Sequence, residues 1–229
     1  MIRLLAFLAL SLSTAHASGQ KISIEFRPVY NGHSIKLGDT LINPNDNSTL
    51  VISALRFYVG QFELVNSQNQ ESQKYQEYYL VDLALPESMH INLNANNNVN
   101  ADLINFSFGV DSLTNNSGAL SGALDPVKGM YWAWQSGYIN MKLEGFINSS
   151  SNSAVKFEYH LGGFLSPFES IQRIQMDLPA ETEIIIEFEL DKFLSDAREM
   201  KKFRIMSPSL KAKALSKSVS ESFKINHEK

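Results

Sequence analysis

The sequence predicts an all-β fold, an antiparallel β-sandwich or barrel-like domain of about ten strands with a short C-terminal helix. Three observations predict it. Runs of β-branched and aromatic residues recur at strand length, and several alternate apolar with polar residues, the period of a half-buried strand. Pro, Asn, Asp and Gly separate the runs. Only the tail shows helical spacing.

The opening strand sets Ile22, Ile24 and Phe26 against Ser23, Glu25 and Arg27. Leu50 to Val59 and Phe62 to Val65 form two apolar runs broken at Gly60. Strands are expected next at Tyr78 to Leu83, His90 to Leu93 and Leu103 to Val110. Four more follow, at Gly137 to Ile147, Ala154 to Leu161, Ile171 to Leu178 and Glu183 to Leu190. In the last, Ile184, Ile186, Phe188 and Leu190 share one face and Glu183, Glu187 and Glu189 the other, which reads as a solvated acidic face. From Ser209 to Phe223, Leu210, Ala214 and Val219 lie one or more turns apart, with Lys211, Lys213 and Lys217 as the wet side. Asn92 to Asn100 reads as a solvated hairpin tip, and the Ser-, Asn- and Gly-rich stretch from Ser112 to Pro126 as a long rim loop. Strand patterns continue on both sides of these loops without an internal repeat, so one domain is expected over residues 18–229.

The first 17 residues read as an address. Met1 to Arg3 carry the positive charge, Leu4 to Leu12 are apolar, and Ala15-His16-Ala17 offers small residues for cleavage after Ala17. The apolar run is far shorter than the roughly 20 residues of a membrane span, and no later segment is apolar enough for one. An exported protein of the bacterial periplasm is expected.

Charge and composition narrow the chemistry. Twenty Lys and Arg against 24 Asp and Glu leave a formal charge of −4, which argues against nucleic acid, whose phosphates call for a basic face. The absence of cysteine excludes thiolate metal sites, iron–sulfur clusters, disulfides, Cys nucleophiles and an N-terminal lipid on cysteine. No Gly-x-Ser-x-Gly elbow, P-loop or HExxH is present, so no enzyme activity is expected.

The stretch from Asp125 to Gly145, DPVKGMYWAWQSGYINMKLEG, holds both tryptophans, Trp132 and Trp134, among Met130, Tyr131 and Tyr138. On a strand the two indoles would face one side and pack as a single layer. Pattern alone favours core packing for this cluster.

A wider set of segments changes that weighting. KISIEFRPVYNG (Lys21 to Gly32), ALRFYVGQFEL (Ala54 to Leu64), YYLVDL (Tyr78 to Leu83), FSFGVDSLTN (Phe106 to Asn115), the tryptophan segment and FEYHLGG (Phe157 to Gly163) resemble the MbnP-like family of copper-binding periplasmic proteins. The pairing of Met-x-Trp-x-Trp-x-x-Gly-Tyr with His-Leu-Gly is the specific part. The resemblance implies a β-rich domain that binds copper, with a tryptophan oxidised to kynurenine by a partner di-haem peroxidase of the MauG type. Carried onto this chain, it makes His160, Trp132 and Trp134 the candidate site, with Met130 as a candidate thioether ligand for Cu(I). An intact indole is a donor only, with no lone pair to offer a metal, whereas ring opening creates an aniline nitrogen and a carbonyl.

This chain departs from the family pattern at two places. Thr114-Asn115-Asn116 stands where family members often carry a histidine, and Met206 is followed by Ser207 where some have Met-His. His33, in a turn, His90, before a strand, and His227, near the terminus, read as ordinary histidines. The alternative reading is a non-metal β-sandwich interaction module that keeps the fold, with the aromatic cluster as core and His160 buried and hydrogen-bonded.

Overall fold

The computed structural model describes residues 20–96, 100–134, 137–148, 154–199 and 203–226. Residues 1–19, which include the expected signal segment, the Asn-rich residues 97–99 and His227 lie outside the described residues. Fifteen strands are found among those described. They are β1 (Gln20–Tyr30), β2 (His33–Ser34), β3 (Thr40–Ile42), β4 (Thr49–Val65), β5 (Ser72–Lys74), β6 (Tyr78–Asp82), β7 (His90–Ala95) and β8 (Leu103–Phe108). Then come β9 (Tyr131–Trp132), β10 (Gly137–Asn148), β11 (Ala154–Gly162), β12 (Gln172–Asp177), β13 (Glu183–Glu189), β14 (Arg204–Ile205) and β15 (Phe223–Asn226). The helices are α1 (Ser112–Asn116), α2 (Leu190–Glu199) and α3 (Leu210–Glu221). No helix among the described residues is long and apolar enough to cross a membrane.

The strands form two sheets. The smaller runs β15-β13-β1-β2, with β7 also on β1. The larger runs β12-β8-β4-β10-β11-β14, with β3, β5 and β6 on β4 and β9 on β10. Most pairs are antiparallel, but β1–β13 and β11–β14 are parallel. The all-β class holds.

The alternation of β1 places Ile24 and Phe26 in the space between the sheets. There Phe26 meets Phe106 with ring centroids 5.6 Å apart and Phe57 at 6.1 Å, both edge to face. Each such buried ring contributes about 1.5–3 kcal/mol of transfer free energy, so this cluster holds the sheets together.

The two runs expected on either side of Gly60 are one long strand, β4. Gln61 adopts a left-handed conformation (φ 49°) and the register shifts between Gly60 and Glu63, so the glycine marks a bulge rather than a break. A side chain at Gly60 would meet the Glu77 carbonyl oxygen at 2.6 Å.

Three further expectations need correction. The strands on either side of the Asn-rich stretch do not form a hairpin with each other, because β7 pairs in the smaller sheet and β8 in the larger. The rim loop is folded: α1 opens it with Asp111 as N-cap, its oxygen accepting from the Thr114 amide at 2.6 Å, and Asn115 and Leu124 are buried. The tail is helical as expected, capped by Ser209, but Leu210 is 64% exposed, Ala214 is exposed as well, and the buried stripe runs through Ala212, Leu215 and Val219. α2 was not expected. Its buried Leu190, Phe193, Leu194 and Ala197 nevertheless follow the i, i+3, i+4, i+7 rule of an amphipathic helix.

Candidate functional site

The candidate residues gather on the outer face of the larger sheet. The β4 alternation sends Phe57 and Val59 inward to the main core and Tyr58 outward. Around Tyr58 a second apolar cluster forms from Val110, Leu124, Met130, Trp132, Tyr138 and Ile139.

The segment that carries the tryptophans is pinned by its backbone. Asp125 accepts from the Val127 amide at 2.9 Å and starts a short helical turn, and Gly129 closes it in the left-handed region (φ 70°). Two cations from neighbouring strands cap its carbonyls: Lys142 Nζ donates to Gly129 O at 2.7 Å and Arg56 Nη1 to Lys128 O at 3.1 Å. Arg56 also pairs with Asp82 at 2.8 Å. Burial, with Arg56 nearby, pulls the Lys142 pKa down, and the neighbouring Glu144 partly offsets it. Met130 is fully buried, and its carbonyl accepts from the Ile139 amide at 2.9 Å.

Strand pairing ends with Trp132, because β9 is only Tyr131 and Trp132 against Tyr138 and Gly137. Residues 133–134 turn away. The single aromatic layer expected from strand geometry is therefore split. Trp132 is 6% exposed and Trp134 is 67% exposed, with ring centroids 6.0 Å apart and planes tilted by 49°. Trp132 lies close enough to Gly162 that a Cβ there would be 2.7 Å from its Cζ3.

His160 sits two residues before that glycine. Phe157, Tyr159 and Leu161 of β11 belong to the main core, so Glu158, His160 and Gly162 point to the outer face, about 7 Å apart along the strand from one to the next. The register sets His160 opposite Lys142 and Glu158 opposite Glu144. Across the strands, His160 Nε2 and Glu144 Oε1 are 2.7 Å apart. Burial lowers the His160 pKa, and Lys142 adds to this, while Glu144 and Glu158 pull the other way. The net result is a neutral imidazole at pH 7. A carboxylate can only accept, which assigns the hydrogen to Nε2 and the free lone pair to Nδ1.

The structure thus brings His160 and Trp132 onto one face and Met130 into the cluster beneath Trp132, and leaves Trp134 on the rim. It does not assemble a ligand set from the side chains as they stand. Among the described residues no three His, Cys, Asp or Glu side chains converge as a metal site would. His33 and His90 are exposed on the smaller sheet. Of Thr114, Asn115 and Asn116, only Asn115 is buried. Asn115 donates to Val110 O at 3.0 Å and accepts from the Tyr138 amide at 2.8 Å, locking α1 to the strand that pairs with Trp132.

Sequence reasoning missed Glu144, Lys142 and Gly162. Glu144 lies 16 residues from His160 on a different strand, so only the antiparallel register joins the pair. Gly162 carried a signal, since a glycine inside a strand marks a close approach. A cavity of about 220 Å³ adjoins Trp132, lined also by Tyr138 and the 163–168 segment.

The profile of the MbnP family matches residues 19–208. No curated protein matches the chain. Among solved structures, MbnP from Methylosinus trichosporium aligns with a TM-score of 0.58 at 16% identity, covering 77% of this chain and 78% of that one. At that identity the likeness concerns the fold.

Proposed function

The chain belongs to the MbnP family, and from that membership we propose that it is a periplasmic copper-binding protein of copper acquisition or handling. In this reading a tryptophan is first oxidised to kynurenine by a partner di-haem peroxidase. The observation that carries the reading is the pairing of His160 with Glu144 on the face where Trp132 lies. A histidine held at one nitrogen by a carboxylate keeps its other nitrogen oriented and basic for a metal, and neutral imidazole suits both copper oxidation states.

The unmodified side chains fit copper incompletely. They offer one imidazole nitrogen, a thioether inside an apolar cluster and two indoles without lone pairs. Copper binding in this chain therefore depends on maturation. Trp132 is the tryptophan whose oxidation would add donors on the face of His160, and Trp134, the exposed one, is the ring a protein-sized oxidant meets first.

The test is peptide mapping and metal analysis of protein purified from its native periplasm. Expected are copper and a peptide over Met130–Tyr138 with the net oxygen gain and carbon loss of kynurenine, and loss of the copper in His160→Ala. Intact Trp132 and Trp134 with no copper, in cells that contain the peroxidase, would refute the proposal.

The second reading, a non-metal interaction module, draws on the same histidine. His160 is buried and bonded to Glu144, as a structural histidine would be. If it is right, His160→Ala lowers stability and leaves metal content unchanged.

A further inference from the structure

A cavity opens beside Trp132. We infer that it is a binding site for a small, uncharged aromatic molecule of one or two rings. Its walls are Trp132, Tyr138, Phe164, Leu165, Phe168 and Pro208, and among the described residues its lining includes no Asp, Glu, Lys, Arg or His. The Tyr138 hydroxyl is already engaged: it accepts from the Leu120 amide at 3.0 Å and donates to Gly118 O at 3.2 Å. The side-chain walls therefore present mostly ring faces and aliphatic carbon.

Two glycines bring these walls together. A Cβ at Gly137 would press on the Phe164 ring at 3.1 Å. Gly163 has φ 130°, a conformation that side chains resist, and a Cβ there would meet Phe168 O at 2.4 Å and Pro208 Cβ at 3.1 Å. The volume, about 220 Å³, decides the size of the guest. An apolar cavity of about 150 Å³ in another protein holds benzene, so this one accepts a substituted ring or a fused pair. Water inside it finds few polar partners, and an apolar ring that displaces such water gains affinity. A charged guest would lose its hydration with no counter-charge to meet it.

The inference does not depend on copper, and it is tested on the exported chain without added metal. The probe is para-fluorotoluene, followed by fluorine NMR. Expected is a saturable shift in the wild-type chain, at least about tenfold weaker in Leu165→Asp and in Phe164→Ala. Leu165 is 60% exposed, so its substitution changes the lip of the cavity without burying a charge in the core, and circular dichroism verifies that both variants fold. Trp134→Ala, outside the lining, keeps full affinity, and para-fluorobenzoate, the same ring with a charge, binds at least tenfold more weakly.

Absence of a saturable shift up to the solubility of the probe overturns the inference. So do equal affinities in the wild type and both lining variants, or loss of binding in Trp134→Ala, which would place the probe on the exposed indole. Binding of N-acetylphenylalanine amide without binding of para-fluorotoluene also overturns it, in favour of the side chain of a partner.

Discussion

Replacing Gly162 by alanine tests the packing that places Trp132 beside His160. The added Cβ would lie 2.7 Å from Trp132 Cζ3, 3.1 Å from its Cη2 and 2.7 Å from the Tyr138 carbonyl oxygen. The two closest contacts fall about 0.7 Å short of the 3.4 Å at which ordinary contact begins. The carbonyl cannot yield easily, because the next residue, Ile139, is the register partner of Gly162 in the β10–β11 ladder. The indole must move instead, out of its contacts in the second apolar cluster. Overpacking of this kind costs about 1–3 kcal/mol. Against it stands the reduced freedom of the unfolded chain, which favours alanine by about 0.4–1 kcal/mol. The strain wins, for a net loss of about 1–2 kcal/mol. In equilibrium urea unfolding with a slope near 3 kcal/mol per M, the midpoint falls by about 0.5 M at unchanged slope. Tryptophan emission moves to the red as Trp132 is pushed towards water. An unchanged or raised midpoint with unchanged emission would show that Trp132 does not rest on Gly162, and the shared face with His160 would go with it.

Other perturbations follow from the same geometry. Because burial lowers the pKa of His160 in the folded state, the unfolded chain takes up that proton first as pH falls. Stability is therefore full above the ordinary histidine value of 6.5 and declines below it until the folded pKa is passed; His160→Gln flattens melting temperature against pH in that window. Trp132→Ala is expected to cost about 3–5 kcal/mol, whereas Trp134→Ala stays within about 0.5 kcal/mol, as chemical denaturation of both variants will show. Asn140 accepts from the buried Val110 amide at 3.0 Å and donates to Ser170 Oγ at 3.0 Å. Asn140→Ala orphans that amide, a loss of about 1–3 kcal/mol, read as a lower thermal midpoint; a midpoint equal to wild type would count against the bond.

What the amino-acid sequence determined by itself is local. The alternation in β1 and β13 named which residues face the core, because side chains on a strand point to opposite faces whatever the strand pairs with. The spacing within Ser209 to Phe223 predicted α3, and the spacing from Leu190 to Ala197 would have predicted α2. The tertiary structure decided what lies next to what. Alternation does not choose neighbours, so nothing in β1 announced a parallel partner in β13, some 160 residues away. Helical spacing did not choose the buried stripe of α3, which packs through Leu215 rather than Leu210 because of what β11 and α2 present to it. Gly60 read as an end until pairing on both sides of β4 made it a bulge. The candidate site divides the same way. Met130, Trp132 and Trp134 stood out in the sequence as a cluster, and the family resemblance added His160. Their differing exposure, the capping of the tryptophan turn by Arg56 and Lys142, and the Glu144 partner of His160 came from strand register. Register is settled by the sum of burial over whole strands, which no short segment contains.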